Sequence, residues 1–156
     1  MKIIEGTKKP NNMKFALVQS KFNESVCNRL LAGALSCFRE NGINENEILI
    51  VKVPGAFEIP LIAETLASQK KYDAIICIGA VIKGETAHFE YISQAATDGI
   101  MKVGLKHRIP IVFGVITTYT EEQAEARAGE KENNKGWEAA ETAIEMANLM
   151  KKLNDL

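Results

Sequence analysis

The reactive side chains of this 156-residue chain concentrate in one stretch, Gly79-Ala80-Val81-Ile82-Lys83-Gly84-Glu85-Thr86-Ala87-His88. It follows the apolar run Ala74–Ile78 and lies one residue away from the phosphate-cradling pattern GxxxxGK[ST]. Glu85 stands at the lysine position of that pattern, and a carboxylate there repels the β- and γ-phosphates of a nucleotide, which argues against an NTPase. A glycine turn feeding a helix N-terminus remains. Its free N–H groups and positive dipole end suit a small monophosphate, with Gly84, Glu85 and Thr86 at the turn and Lys83 adding charge.

His88 is one of only two histidines. The 3.6-residue period places it in the first turn of the following helix, at the boundary between the buried stripe and solvent. An imidazole in that position is either a structural boundary residue or, beside an anion site, a group that accepts and donates protons. The second histidine, His107, ends the same helix between Lys106 and Arg108, where cations complement the helix dipole; a structural role is expected. Phe22 is a large aromatic in a short polar connection. It either staples onto the next helix or offers a stacking platform for a planar ring. Gly55 permits close backbone approach. Glu58 opens a helix, where the dipole favours a carboxylate on structural grounds alone, while the backbone amides around Ala56 and Phe57 can bind a hydroxylated chain. Arg127 sits near the end of a short helix, either as favourable dipole electrostatics or as a phosphate clamp assisted by Lys131 and Lys135. Within one chain nothing brings it to the Gly84 turn.

These residues need elements to position them. Four β-rich apolar runs stand out: Phe15–Val18, Ile48–Val53, Ala74–Ile78 and Ile111–Ile116. The last three are mostly apolar rather than alternating, as expected of strands covered on both faces. Helical patterns fill the gaps. Asn23 is read as a cap for Val26, Leu30, Ala34 and Phe38, with a stop at Asn41-Gly42. Pro60 fits a first turn ahead of Leu61, Ala63, Leu66 and Ala67. Phe89, Ile92, Ala96, Ile100 and Val103 form a stripe, Thr120–Gln123 reads as a capping box, and Trp137, Ala140, Ile144 and Ala147 mark a long final helix. The polar segment Glu130–Gly136 is read as a loop. Ile3-Ile4 can form a short strand, with a neighbouring subunit as its pairing partner. The order β-α-β-α-β-α-β-α-α predicts an α/β protein: a three-layer α/β/α sandwich on a four-stranded parallel sheet, linked by right-handed crossovers. In such sheets ligands bind beyond the carboxyl ends of the strands, where Phe22, Ala56–Glu58 and the Gly84 turn fall.

Composition narrows the function classes. The chain is 46% hydrophobic and 25% charged, with a formal net charge of −1, so no overall field favours nucleic acid. No apolar run reaches membrane-spanning length, and the first residues have neither signal-peptide nor transit-peptide character. The three cysteines, Cys27, Cys37 and Cys77, form no metal-ligand spacing; Cys77 is expected in the core. A single domain over residues 1–156 in a reducing cytoplasm is the simplest expectation.

Taken together, Lys21-Phe22-Asn23, Gly55-Ala56-Phe57-Glu58-Ile59-Pro60, Gly79 through Phe89, Phe113-Gly114-Val115, Glu122-Gln123-Ala124, Arg127-Ala128-Gly129 and Asn134-Lys135-Gly136 resemble the lumazine synthase family. The likeness runs from about Phe15 to Leu149. It implies a flavodoxin-like fold and an enzyme of riboflavin biosynthesis that condenses 5-amino-6-(D-ribitylamino)uracil with 3,4-dihydroxy-2-butanone 4-phosphate, without metal or organic cofactor. By resemblance, Phe22 stacks on the pyrimidine, Ala56, Phe57 and Glu58 hold the ribityl chain, and Ala80, Val81 and Ile82 line the ring and its polar edge. Gly84, Glu85 and Thr86 mark the phosphate end. His88 transfers protons, and Phe113, Arg127 and Lys135 come from an adjacent subunit, with Glu138 a weaker candidate to orient His88. The resemblance further implies pentamers, an icosahedral shell in some members, and riboflavin synthase as a candidate cargo. Lys21 and Lys83 stand where arginine is common in the family and Ala87 where a hydroxyl residue is frequent, which bears on fine geometry and affinity rather than on reaction class. Two other readings are a flavin- or nucleotide-binding module and a shell protein that encloses cargo.

Overall fold

The computed structural model describes residues 1–156. Four parallel strands, β1 (Phe15–Ser20), β2 (Ile48–Val53), β3 (Ala74–Ile82) and β4 (Ile111–Thr118), lie in the order β2-β1-β3-β4. The helices are α1 (Glu24–Glu40), α2 (Ile59–Ser68), α3 (His88–His107), the short α4 (Glu121–Ala126) and α5 (Lys135–Asn154). This is the predicted α/β sandwich, of flavodoxin-like strand order, whose direction of winding reverses between β1 and β3.

Side-chain alternation along the strands separates two cores. Phe15, Leu17, Ile76 and Ile78 face α1 and α5, while Ala16, Val18, Ile75 and Cys77 face α2 and α3. The α1 positions at four-residue spacing, Val26, Leu30, Ala34 and Phe38, are all buried, and the Phe38 ring stacks on Phe15 with centroids 4.5 Å apart. Val26, Leu30 and Phe38 each stabilise the fold by about 1.5–3 kcal/mol on burial, so the stripe outweighs any single cap. Burial pushes the Cys77 thiol up to about 12, consistent with a small core residue.

Several local expectations change. Asn23 does not cap α1: its backbone is left-handed and its side chain makes no capping bond. The stop is as predicted, with Gly42 at φ 76° just beyond Asn41. Thr120 Oγ1 accepts from Gln123 N–H, but the returning bond runs from Tyr119 N–H to Gln123 Oε1, one residue outside a true box. The segment expected as a loop contains a 3₁₀ turn, Lys131–Asn133, and α5 already starts at Lys135. β2 is an edge strand that leaves Leu49 and Ile50 exposed, so within one chain its apolar run is not covered on both faces. Leu61, grouped with the apolar face of α2, is also exposed.

Ile3 and Ile4 form no strand with their own sheet. The N-terminal segment instead runs along α5. Asn148 Nδ2 donates to the Thr7 and Lys9 carbonyls at 2.6 and 2.9 Å, and Lys152 Nζ to the Glu5 carbonyl at 3.0 Å. α1 and α5 cross closely at Gly136, where an added Cβ would lie 1.8 Å from the Leu30 carbonyl oxygen. No helix is long and apolar enough to cross a membrane.

Candidate active site

The carboxyl ends of β1 and β3 and the 3₁₀ turn Ala56–Glu58 after β2 enclose a cleft of about 590 Å³. Phe22 and Asn23 form one wall, Ala56, Phe57 and Glu58 a second, and Ala80, Val81 and Ile82 the floor, with Gly84, Thr86 and His88 at the far end. Backbone hydrogen bonds seat the walls: Lys21 N–H donates to the Val53 carbonyl at 2.8 Å and Phe22 N–H to the Pro54 carbonyl at 3.0 Å. The Phe22 ring is 70% exposed, which rules out the staple onto α1 and leaves it standing at the cleft wall. Glu58 Oε2 accepts from Gly55 N–H at 2.9 Å. That bond is the structural role expected at a helix start. Only one carboxylate oxygen is used, so the other can take a hydroxyl.

β3 runs four residues beyond its predicted end, from Ile78 to Ile82, because β4 continues as its partner to Thr118. Gly79 is therefore a strand residue. A Cβ there would press on Ile59 Cδ1 at 3.3 Å and Val115 Cγ1 at 3.4 Å, so the glycine serves close packing and not a turn. The turn expected to receive an anion shrinks to Lys83–Ala87. Thr86 Oγ1 accepts from the His88 N–H at 3.4 Å at the start of α3. His88 is exposed and not at a half-buried boundary: it opens α3 over the end of the cleft. Lys83 is already engaged. Its Nζ lies 3.3 Å from Glu90 and 5.7 Å from the centroid of the Tyr119 ring, which itself packs near Phe89. Its own backbone N–H first, and then Lys83, hold the Glu90 carboxyl below the usual carboxylate range. Glu85 is exposed in the turn and pairs with no cation.

A second, separate cleft of about 300 Å³ lies along the outer edge of β4. Phe113, Arg127, Lys135 and Glu138 line it together with the backbone of Gly114–Thr117. Arg127 Nη1 donates to the Gln123 carbonyl at 2.9 Å, and Lys135 Nζ pairs with Glu138 at 2.6 Å. Lys131 turns away to Glu40 and the Trp137 ring. The corner carrying Arg127 and Lys135 is held by Asn134, a buried residue of the Asn134-Lys135-Gly136 motif to which the sequence assigned no role. Its Oδ1 accepts from Gly136 and Trp137 N–H at 2.8 and 3.2 Å, and its Nδ2 donates to the Arg29 and Gly129 carbonyls at 3.0 and 2.8 Å. An Asn ahead of Lys-Gly at a helix start was the available signal.

The model of the 6,7-dimethyl-8-ribityllumazine synthase family matches residues 12–151. The chain belongs to this family. The family is that of a transferase of riboflavin biosynthesis. Seen as a lumazine synthase, the chain divides its motif residues between two places. Phe22, Ala56, Phe57, Glu58, Ala80, Val81, Ile82, Gly84, Thr86 and His88 meet in the first cleft, whereas Phe113, Arg127 and Lys135 meet in the second. Glu85 lies between Gly84 and Thr86 but does not line the first cleft. His107 takes the structural role expected of it, with Nε2 2.8 Å from Glu64 and Lys106 on the same carboxylate.

Proposed function

We propose that the chain, acting as one domain, condenses 5-amino-6-(D-ribitylamino)uracil with 3,4-dihydroxy-2-butanone 4-phosphate to give 6,7-dimethyl-8-ribityllumazine, phosphate and water. The observation that carries this is the division of the matched residues into two incomplete clefts on one chain. The first has an aromatic wall, a carboxylate with a free oxygen and an imidazole, but no unengaged cation. The second has the guanidinium and the ammonium. Setting the β4 edge of one copy against the strand ends of the next supplies Arg127, Lys135 and Phe113 to the Gly84 turn. Closed rings of copies provide that contact repeatedly, and a pentamer is the arrangement the family resemblance favours. Exposed Phe22, Phe57, Tyr91, Leu105 and Phe113 give such contacts apolar surface. A hollow icosahedral shell holding riboflavin synthase is the larger assembly that fits the same reading, and Ile3-Ile4 is the segment to pair with a neighbour.

In this reading the pyrimidine stacks on Phe22, its polar edge meets the β3 backbone at Ala80–Ile82, and Ala56–Glu58 hold the ribityl chain. The Gly84–Thr86 turn and the neighbour's Arg127 hold the phosphate, where a guanidinium fork matches phosphate geometry. The 5-amino group attacks the ketone, water leaves to form an imine, and phosphate departs by elimination. The resulting enol tautomerises, and the ribityl-bearing amine closes the ring with loss of a second water. Every step moves a proton and none changes the net oxidation state, so alignment and a proton carrier suffice. Alignment of two reactants can recover about 7–11 kcal/mol of barrier. His88, at the cleft end beside the phosphate turn, is placed to carry protons, contributing roughly 10²–10⁴-fold.

Mixing the two substrates with the purified protein and following lumazine absorbance and released phosphate tests the reading. Stoichiometric appearance of both is expected. A protein that is inactive yet holds tightly bound flavin would replace this reading with a flavin-binding module.

A further inference from the structure

Phe22 and Asn23 leave β1 between the ends of β2 and β3. The Phe22 ring is largely exposed, so packing does little to fix it; its backbone ties must do so. Phe22 N–H donates to the Pro54 carbonyl on the β2 side, and Asn23 supplies the tie on the β3 side. Its backbone is left-handed, at φ 53° and ψ 49°, a region in which asparagine is tolerated and most residues are strained. Its carboxamide, free of any capping duty, donates from Nδ2 to the Ala80 carbonyl at 2.8 Å. The β1–β3 ladder ends at Gln19 and Ile78, so Ala80 lies beyond the last β1 partner. The Asn23 side chain supplies the donor that the strand backbone no longer offers. Cys27 adds a second bridge: its Sγ donates to the Phe22 carbonyl at 3.3 Å. Burial pushes that thiol up to about 11, with a hydrogen bond from the Ala80 backbone acting in the opposite direction.

We infer that Asn23 is a positioning residue for the pyrimidine. Its left-handed backbone and its bond to Ala80 fix the gap between the Phe22 ring and the Ala80–Ile82 edge, the slot into which a planar heterocycle slides. The inference rests on the functional reading above, in which that slot takes the aminopyrimidine. It goes further by separating the two substrates: the phosphate end is built from the Lys83–Ala87 turn and a neighbour's Arg127, neither of which is tied to Asn23. Removal of the tie therefore weakens pyrimidine binding and spares the butanone phosphate.

The test uses the assembled, full-length protein. Asn23→Gly keeps the left-handed backbone without strain and deletes only the tie. Asn23→Asp keeps the size and sets a carboxylate against the Ala80 carbonyl. Loss of one well-made hydrogen bond corresponds to about a tenfold rise in KM for the aminopyrimidine in Asn23→Gly, with the KM for the butanone phosphate within roughly twofold of wild type. Asn23→Asp should show at least as large a selective rise. Thermal midpoints of both variants are measured alongside, so that a selective KM effect is separated from loss of fold. Unchanged or parallel KM values in both variants, or a lowered midpoint without selectivity, would overturn the assignment of Asn23 while leaving the condensation intact. A wild-type protein that turns over neither substrate would overturn the functional reading and this inference with it.

Discussion

Replacing Asn134 with alanine should loosen the corner that carries Arg127 and Lys135. The wild-type carboxamide makes four hydrogen bonds, capping α5 through Gly136 and Trp137 and tying it to the Arg29 and Gly129 carbonyls. Loss of an N-cap costs about 0.5–2 kcal/mol, and here the upper part of that range applies because the Gly136 N–H is left buried. Losing the two donated bonds adds about 1 kcal/mol, kept small because Gly129 is exposed and water can replace its partner. A total of about 3 kcal/mol corresponds to a fall in Tm of roughly 6–12 °C for a chain of this length. Calorimetry or circular dichroism at one fixed protein concentration measures it, since assembly makes Tm depend on concentration. Asn134→Ser restores the cap acceptor but not the two donors, so its Tm should fall by only about a third as much. The same corner fixes the Arg127 carbonyl to Lys135 N–H at 2.8 Å, so Asn134→Ala should also raise the KM for the butanone phosphate more than that for the pyrimidine. A Tm drop below about 2 °C in the alanine variant, or equal drops in both variants, would refute the buried-cap reasoning.

Three other outcomes are expected. His88→Ala, an exposed change, should leave Tm unaltered and slow turnover by about 10²–10⁴-fold without abolishing it; complete loss with assembly intact would mean that His88 does more than carry protons. Arg127→Ala should raise the KM for the butanone phosphate by about 10–100-fold, the size of a charged hydrogen bond, and a rise confined to the pyrimidine would remove the clamp. Lys106 first, and then His107, hold the Glu64 carboxyl below its ordinary value of 4.5. Its stabilising contribution is therefore complete above that value and disappears as pH falls through the lower folded value. Tm-versus-pH profiles should show a shallower acid limb in Glu64→Gln than in wild type. The difference should be small because the group is open to water, and superimposable acid limbs would dismiss the α2–α3 tie.

Local patterning carried most of the fold. The β2 run Ile48–Val53 and the α1 stripe with its Asn41-Gly42 stop have the same bounds in sequence pattern and structure, because hydrophobic period and a left-handed glycine are properties of adjacent residues. The errors fell where a residue's partner is distant in sequence. Gly79 falls just beyond the apolar run that ends at Ile78, but β4 pairs with it at Val115 and keeps it in the strand. Asn23 reads as a cap, but a carbonyl 57 positions away takes its donor. Glu130–Gly136 reads as a polar loop, but Asn134 reaches the Arg29 carbonyl on α1, 105 positions away, while it caps the helix start at Lys135.

The sequence alone determined which residue types are available for chemistry: an aromatic in a polar connection, backbone amides beside a carboxylate, a glycine turn before a helix, one imidazole at that helix start and a guanidinium. It also determined the succession of strands and helices that makes the sheet parallel, because the apolar period switches between strand runs and helical stripes along the chain. Only the tertiary structure decided how those groups are distributed. Strand order brings the ends of β1, β2 and β3 to one cleft and sends β4's outer edge, with Arg127 and Lys135, to another. The physical reason is that strand pairing and helix packing are set by contacts between residues far apart in the chain, which no local spacing encodes.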